Sequence, residues 1–333
     1  GICDKEEYKT GPCAKPELLK SFHTADYIAV LKKTEVSQKI SEKDAKTYNI
    51  GSLSNPVFPE MFKRPATSVG SSLLAADLVA NGGRAYSLGG GLHHGMTGYA
   101  NGFCFLNDLA FAINRLRDLG VQRIAYIDLD AHHCDGVAAA FPEDENLFVV
   151  STHERKRWPF TGGLDENIPD RFLNVPLPSH CNDSEFMFVF EKLVLPLLDR
   201  FQPEALIIQG GADALVEDPM SRLCLSNQVI FKILSILLGS SQRVLLTGGG
   251  GYNPWTVARL WTGFWALISG RTIPEVLPNQ ATELLRSLSW QRQTKPKEIM
   301  LNSIYDVPME GQLRDEVRDI VKKVSSFHKF KHS

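Results

Sequence analysis

Two patterns of hydrophobic and polar positions alternate along the chain. Short runs of Val, Ile and Leu are typical of buried strands, and longer amphipathic segments between them are typical of helices. The short runs predict strands at 84–88, 124–128, 147–153, 205–209 and 243–247. The amphipathic segments predict helices at 16–23, 25–33, 67–79, 106–119, 184–201, 221–238, 254–269 and 311–324.

This alternation of strands and helices predicts the fold class. Strands that are apolar throughout belong to parallel sheets, in which helices cover both faces. We therefore expect an α/β fold of three layers, αβα, around a central, mostly parallel sheet. No boundary divides the chain, which predicts a single domain over 1–333, with its motifs within about 17–270 and a C-terminal helical extension over 271–333.

Composition narrows the class of protein further. The chain has 333 residues, of which 43% are hydrophobic and 22% are charged, as in ordinary globular proteins. A net charge of -2 gives no reason to expect a nucleic-acid partner, and no apolar run reaches the roughly 18 residues of a membrane span. Six cysteines without CxxC spacing are typical of free thiols in a reducing compartment, so we expect a cytoplasmic protein.

The segment 124–136 carries the densest group of chemically active side chains. It begins as an apolar strand and ends in Asp-Leu-Asp-Ala-His-His-Cys-Asp-Gly. Because side chains alternate along an extended backbone, Asp128, Asp130 and His132 point to one side. Burying three such groups without partners is costly, and a bound cation offsets that cost. Carboxylate and imidazole ligands suit zinc, iron(II) or manganese, so the residue types alone leave the metal open.

The other predicted strands also end in reactive residues. Ligands of parallel sheets bind outside the carboxyl ends of the strands, so residues far apart in the sequence can meet there. The pattern therefore predicts one site that gathers residues from five strand ends. These residues are His93 and His94, then Asp128, Asp130, His132 and Asp135, then His153, Asp213 and Tyr252.

Several short motifs resemble the class I histone deacetylase family, and in detail its bacterial acetoin-utilisation-type lysine deacetylases. The resemblance covers about residues 17–270 and implies the arginase/deacetylase fold. The motifs are Leu-His-His-Gly at 92–95, Gly-Phe-Cys at 102–104, Asp-Leu-Asp-Ala-His-His at 128–133, Gly-Gly-Ala-Asp at 210–213, Asp-Pro-Met at 218–220 and Gly-Gly-Gly-Gly-Tyr at 248–252.

The resemblance implies a function and a metal. It implies hydrolysis of the amide of N6-acetyl-lysine in proteins or peptides, with Zn²⁺ as cofactor and Fe²⁺ as an alternative. Asp130, His132 and Asp213 match the family's metal ligands. Three protein ligands leave one coordination position open, as catalytic rather than structural zinc requires.

The resemblance also implies roles in catalysis. His94 matches the general base and later acid, and His93 matches its electrostatic partner. Asp135 is expected to orient His94, and Asp128 to orient His93, because the far nitrogen of an imidazole must be hydrogen-bonded to fix its tautomer. Tyr252 matches the hydroxyl donor to the developing oxyanion.

Two further sites follow from the resemblance. A narrow channel around the lysine methylenes is expected to be lined by Phe103, Trp158, Met220, Gly102 and Gly250. A structural K⁺ site beside the zinc is expected at Asp128, Asp130, His132 and Ser151. By contrast, we interpret His133 and His153 as hydrogen-bonded core residues, and Cys104 and Cys134 as packing residues.

The chain departs from the family pattern near the expected channel. Cys134 and Phe160 stand where the family usually has glycine, and Ser54 stands where an aspartate commonly holds the substrate backbone.

Three alternative functions remain open: a deacetylase of acetylated polyamines or other small amines, an arginase-type ureohydrolase with two manganese ions, and a non-catalytic acyl-lysine binder. The oligomeric state is not predicted.

Overall fold

A single six-stranded sheet forms the centre of the computed structural model, which describes residues 7–290 and 295–329. Its strands are β1 (Gly83–Ser87), β2 (Ile124–Asp128), β3 (Leu147–Glu154), β4 (Phe172–Leu177), β5 (Ala205–Gln209) and β6 (Arg243–Thr247). They lie in the order β1-β6-β5-β2-β3-β4, and every neighbouring pair is parallel. The predicted α/β class with a parallel sheet is confirmed.

Helices flank this sheet along the described chain. They are α1 (Pro16–Leu19), α2 (Ala25–Ser37), α3 (Glu42–Tyr48), α4 (Lys63–Val79), α5 (Asp108–Asp118), α6 (Asp135–Ala140), α7 (Asp183–Val189), α8 (Leu195–Phe201), α9 (Asn227–Ser240), α10 (Pro254–Ile268), α11 (Asn279–Ser287), α12 (Glu298–Asn302) and α13 (Asp315–Phe327). A 3₁₀ turn spans Leu164–Glu166, and a π-helical segment, Phe190–Val194, joins α7 to α8.

The sheet has helices on both faces because its strands are apolar on both faces. Along β2, Ala125 and Ile127 belong to one core cluster, which includes Phe190 of the π-helical segment. Tyr126 points the other way, into a second cluster with Ile113 of α5. All of these side chains are buried, and full burial of such a side chain stabilises the fold by about 1.5–3 kcal/mol.

The strand β4 is an element that the sequence pattern did not predict. Its residues, Phe-Leu-Asn-Val-Pro-Leu, contain Asn174 and Pro176, which weaken the strand signal. Pro176 is tolerated because β4 lies at the edge of the sheet, where one side of the backbone makes no ladder bonds. The sheet therefore has one more strand than expected.

The helix predicted from residue 221 begins later, at Asn227. Residues 221–226 instead form a loop that is held by hydrogen bonds to other loops and strands. Ser221 Oγ donates to Asp213 O at 2.6 Å, the Arg222 amide donates to Glu154 Oε2 at 2.8 Å, and Ser226 Oγ donates to a buried Asp183 carboxylate at 2.6 Å. These tertiary contacts override the local helical pattern.

The order of the strands fixes where a site can form. From β2 the chain moves outward to β3 and β4, and it then returns to the other side of β2 to build β5 and β6. The loops after β2 and β5 therefore separate in opposite directions and leave a crevice at their carboxyl ends. Residues 129–135 and 210–220 follow these two strands.

The C-terminal segment packs against the same core. Val317, Ile320, Val321 and Val324 of α13 are buried in the cluster that also contains strand residues of β4. The interpretation of 1–333 as a single domain stays a prediction. No helix in the described part of the chain combines the length and apolarity needed to cross a membrane.

A bidentate ion pair joins this C-terminal segment to the start of α7. Arg314 Nε and Nη2 each lie 2.6 Å from one oxygen of Glu185, which is fully buried. Glu185 Oε2 also accepts the amide of Asn182 at 3.2 Å, and Arg314 Nη1 donates to Ser179 O at 3.1 Å. The pair therefore fixes three segments at once.

We expect Arg314→Ala to lower the free energy of unfolding by about 2–3 kcal/mol, because the Glu185 carboxylate stays buried without its cation. The loss is below the largest values for buried pairs because the Arg314 side chain is 38% exposed. Urea denaturation measures it. The control is Arg318→Ala, whose exposed pair with Asp315 spans 3.9 Å and should contribute less than about 1 kcal/mol. Equal losses in both variants would contradict this assignment.

Candidate active site and metal centre

Asp130, His132 and Asp213 converge at the carboxyl ends of β2 and β5. Nδ1 of His132 lies 3.0 Å from Asp130 Oδ1 and 3.0 Å from Asp213 Oδ2. One ligand atom from each of the three residues lies within 4.8 Å of the other two, and all three residues are buried. This is the set that the sequence predicted as metal ligands, and their donor types suit a catalytic zinc or iron(II) ion.

The charge balance of this cluster also fits a cation. Burial raises the pKa of Asp213 to about 7, and the neighbouring Asp130 carboxylate adds to that effect. Burial lowers the pKa of His132, but Asp213 and Asp130 outweigh burial and raise that pKa to about 11. Burial also acts to raise the pKa of Asp130, but His93 and His132 outweigh burial and lower that pKa well below its usual range. The paired carboxylates thus favour a positive charge between them, which a divalent ion could also supply.

The two carboxylates are oriented by groups behind them. Asp130 Oδ2 accepts the side-chain amide of Gln209 and the backbone amide of Gly250, each at 2.9 Å. Asp213 Oδ1 accepts the backbone amide of Ala131 at 2.8 Å. The remaining oxygens therefore face His132. Sequence reasoning missed Gln209, although a polar residue that ends an apolar strand was a usable signal.

His93 and His94 lie beside the ligand set, and each is bound to its own carboxylate. His93 Nδ1 donates to Asp128 Oδ2 at 2.7 Å, and His94 Nδ1 lies 2.6 Å from Asp135 Oδ1. Asn101 Nδ2 donates to the other Asp135 oxygen at 2.8 Å. These are the pairings that the sequence analysis expected.

The pKa values of the two imidazoles are shifted in opposite directions. Burial lowers the pKa of His94 to about 4, and the charge of the neighbouring His93 acts in the same direction. Burial also lowers the pKa of His93, but Asp128 and Asp130 outweigh it and raise that pKa to about 9. Their ring centroids lie 3.9 Å apart, so a charge on His93 directly opposes protonation of His94.

Asp108 positions the loop that carries both histidines. Its buried carboxylate accepts the backbone amides of Leu92, at 2.8 Å, and Gly91, at 3.1 Å, together with the hydroxyl of Ser72. Asp108 is the first residue of α5, where an acidic residue usually serves the helix terminus. Nothing in the sequence distinguished it from such a residue, so its role was not predicted.

Tyr252 and Met220 are positioned together by one carboxylate. Buried Asp218 accepts the Tyr252 amide at 2.6 Å and the Met220 amide at 2.9 Å. Burial raises the pKa of Tyr252, with Asp213 and Asp130 acting in the same direction. The phenol therefore stays protonated and can donate a hydrogen bond.

A cavity of about 880 Å³ leads from the surface to this cluster. His94, His132 and Tyr252 line it, as do four of the five predicted channel residues, namely Gly102, Phe103, Trp158 and Met220. The Trp158 ring lies edge-on to His94, with centroids 4.6 Å apart, and the Phe103 ring lies 5.9 Å from that of Tyr252. Gly250 is not among the lining residues and lies behind the metal ligands.

Gly102 has a steric reason to be glycine. Its φ of +51° lies in the left-handed region, and a Cβ atom there would come within 2.3 Å of the Trp158 ring and 2.6 Å of the His94 ring. Any side chain at this position would push apart the Trp158 ring and the His94 imidazole. The glycine thus allows the aromatic wall to pack directly on His94.

The remaining predicted residues lie around this centre. Both ring nitrogens of His153 are hydrogen-bonded, which fits a core role. His133 is buried too, but only its Nδ1, 2.8 Å from Thr161 Oγ1, has a partner within the described residues, whereas its Nε2 has none. Of the four residues expected around K⁺, Ser151 pairs with Asp128 across β2 and β3, Asp128 Oδ1 accepts the Asp130 amide at 3.1 Å, and Asp130 Oδ1 lies 3.0 Å from His132 Nδ1. The potassium site itself stays a prediction.

The three departures from the family pattern occupy different places. Phe160 is 75% exposed and lines the outer cavity, whereas Cys134 is fully buried in a core cluster, in agreement with a packing role. Ser54 lines the cavity, and its carbonyl accepts the Phe103 amide at 3.1 Å. The substitutions that face the cavity are therefore Phe160 and Ser54.

Fold and site together define an αβα protein with a candidate carboxylate–imidazole metal site at the carboxyl ends of its strands. A sequence model of the histone deacetylase domain matches residues 1–268, and the chain belongs to this family. Membership makes it a hydrolase of the deacetylase type and favours deacetylation over the arginase-type alternative.

Curated relatives and solved structures agree with this assignment. The acetoin utilization protein AcuC of Bacillus subtilis is 32% identical over 87% of this chain and 77% of its own, and that of Staphylococcus aureus strain MSSA476 is 31% identical over 95% and 85%. A crystal structure of a histone deacetylase homologue complexed with SAHA has a TM-score of 0.92 and 39% identity, covering 97% of this chain and 89% of that one. The homologue from Aquifex aeolicus has a TM-score of 0.92 and 38% identity, with the same coverage of both chains.

We expect Gly250→Ala to weaken metal binding by about 10–100-fold, because its Cβ would lie 2.4 Å from Asp213 Oδ2 and 2.7 Å from Asp130 Oδ2. Competition with a chromophoric chelator measures the change in metal affinity. The matched control is Gly239→Ala on α9, where a Cβ atom meets nothing within 4 Å. Unchanged affinity in the Gly250 variant would show that the two carboxylates do not bind the ion.

Proposed function

We propose that this protein is a metal-dependent lysine deacetylase, which hydrolyses the amide of N6-acetyl-lysine in proteins or peptides. Asp130, His132 and Asp213 would hold a zinc ion, with iron(II) as the alternative. The observation that carries the proposal is the placement of His94 and Tyr252 on the same cavity as His132. A base, a hydroxyl donor and one of the three proposed metal ligands thus line one cavity.

When bound, an ion in such a site lowers the pKa of water from about 15.7 towards about 7 and polarises the amide carbonyl. His94 takes the proton of the attacking water, because its Nδ1 is engaged by Asp135 and its Nε2 is the nitrogen left for the reaction. The same imidazole then gives a proton to the leaving lysine amine. His93, held by Asp128, stabilises charge next to it.

Tyr252 supplies the hydrogen bond to the oxyanion that develops from the acetyl carbonyl. Its backbone amide is held by Asp218, and its hydroxyl stays protonated, so the phenol can act as this donor. Such preorganised donors typically contribute about 10²–10³ in turnover. Phe103 and Trp158 enclose the lysine methylenes, which buries apolar surface beside the reacting amide.

The proposal is tested first by acetate release from a peptide with a central acetyl-lysine. We expect turnover by the zinc-loaded protein, loss of turnover after chelation, and recovery when zinc or iron(II) is restored. Metal content per chain is measured in parallel. Binding of the peptide without acetate release would point instead to a non-catalytic acyl-lysine binder.

Two variants separate the roles of metal and donor. Tyr252→Phe should keep the bound metal and lose about 10²–10³ in kcat, because only the oxyanion donor is removed. Asp213→Ala should lose both metal and activity, because it removes a ligand. Metal analysis and acetate release give the two readouts. If both variants match the unchanged protein in metal content and activity, these roles are misassigned.

A further inference from the structure

The outer cavity has more basic than acidic side chains. Its lining contains four basic residues and two acidic ones, namely Arg155, Lys156, Arg157 and Arg222 against Glu154 and Glu316. We call the outer part of the cavity, where these six residues lie, the mouth. Glu316 belongs to α13, so the C-terminal segment contributes to the mouth. The other lining residues carry no carboxylate. The mouth as a whole is therefore positive.

Both acidic residues are already neutralised by arginines. Glu154 is buried and pairs with Arg157, and its oxygens also accept the Ser179 hydroxyl at 2.7 Å and the Arg222 amide at 2.8 Å. Glu316 pairs with Arg155. Two positive charges remain after this pairing.

Those charges are on Lys156 and Arg222. Both residues are exposed, and neither side chain has an ion-pair partner within residues 7–290 and 295–329. Their backbones are held in place: Arg222 O accepts the His180 amide at 2.7 Å, and the Arg155 amide donates to Leu177 O at 2.7 Å, directly before Lys156. The excess charge is thus held at the cavity entrance by anchored loops rather than by a loose tail.

Resting on the proposed function, we infer that this mouth selects acetyl-lysine with acidic residues close to it in sequence and disfavours acetylated polyamines. An acidic side chain beside the acetyl-lysine meets Lys156 and Arg222 with opposite charge. The free ammonium groups of an acetylated polyamine meet the same two residues with like charge, and no unpaired carboxylate lines the described cavity to compensate.

The size of the cavity fits such a substrate. About 880 Å³ lies near the upper end of the roughly 300–1,000 Å³ that is usual for ligand sites, so the mouth has room for residues beside the lysine. Ser54 lines the same mouth without adding negative charge. Charge at the entrance is therefore the feature that distinguishes otherwise similar peptides.

The test compares kcat/KM for acetate release from peptides of equal length with neutral, acidic or basic residues flanking the acetyl-lysine, and from a monoacetylated polyamine. We expect the acidic peptide to exceed the basic peptide by about tenfold at low salt, with the polyamine lowest. The difference should shrink as ionic strength rises from about 0.01 M to about 1 M, where the screening length falls from about 30 Å to about 3 Å.

Charge variants assign the effect to the mouth. Lys156→Glu and Arg222→Glu should each lower the ratio of acidic to basic peptide turnover by about threefold or more, whereas Glu316→Gln, which releases Arg155, should raise it. Lys232→Glu, on the exposed side of α9 and outside the cavity lining, is the matched control and should leave the ratio unchanged. Thermal unfolding checks that each variant is folded.

The outcomes distinguish this inference from the proposed function. Turnover of the neutral peptide with equal kcat/KM for acidic and basic peptides, or faster turnover of the polyamine, overturns the inference and leaves the deacetylase proposal standing. Absence of turnover for every substrate by the metal-loaded protein overturns both.

Discussion

Buried negative charge at the floor of the cavity is the constraint on which the rest of the site depends. Asp128, Asp130 and Asp213 are fully or almost fully shielded from solvent, within reach of only a few positive groups. Such carboxylates are stable only where cations and hydrogen-bond donors balance them. The paired imidazoles, the amides of neighbouring loops and the proposed divalent ion are the available sources of that balance. Fold stability and chemistry are thus linked through one electrostatic requirement.

Parallel strands make this arrangement attainable. The loops that follow β1, β6, β5 and β2 all lie at the carboxyl ends of the strands. Residues separated by about 160 positions therefore meet there without any long-range sequence signal. The cost of bringing them together is offset by an apolar core on both faces of the sheet. The loops then remain free to carry polar groups that the core could not hold.

Much of this could be predicted from the sequence, for identifiable reasons. Apolar runs have a strong signal, so five strands and the convergence at their ends were predicted, including the residues that cluster around His132. Elements that depend on tertiary contacts had no such signal. The edge strand β4, the loop at 221–226 and the carboxylate of Asp108 are determined by distant partners. The ion pair between Arg155 and Glu316 at the mouth had no sequence signal either, because the two residues are 161 positions apart.

The position of Glu316 has a consequence for how this protein can change over evolutionary time. The residue lies on a terminal helix whose inner face is committed to the core, whereas Glu316 itself lies toward the solvent. Substitutions of Glu316 can alter the charge around a bound substrate peptide without disturbing the proposed metal ligands or the His93 and His94 imidazoles. On the proposed selectivity, Glu316 is therefore a position at which selectivity can drift while the reactive residues are held constant, whereas Lys156 and Arg222 lie in the same loops as Trp158 and Met220.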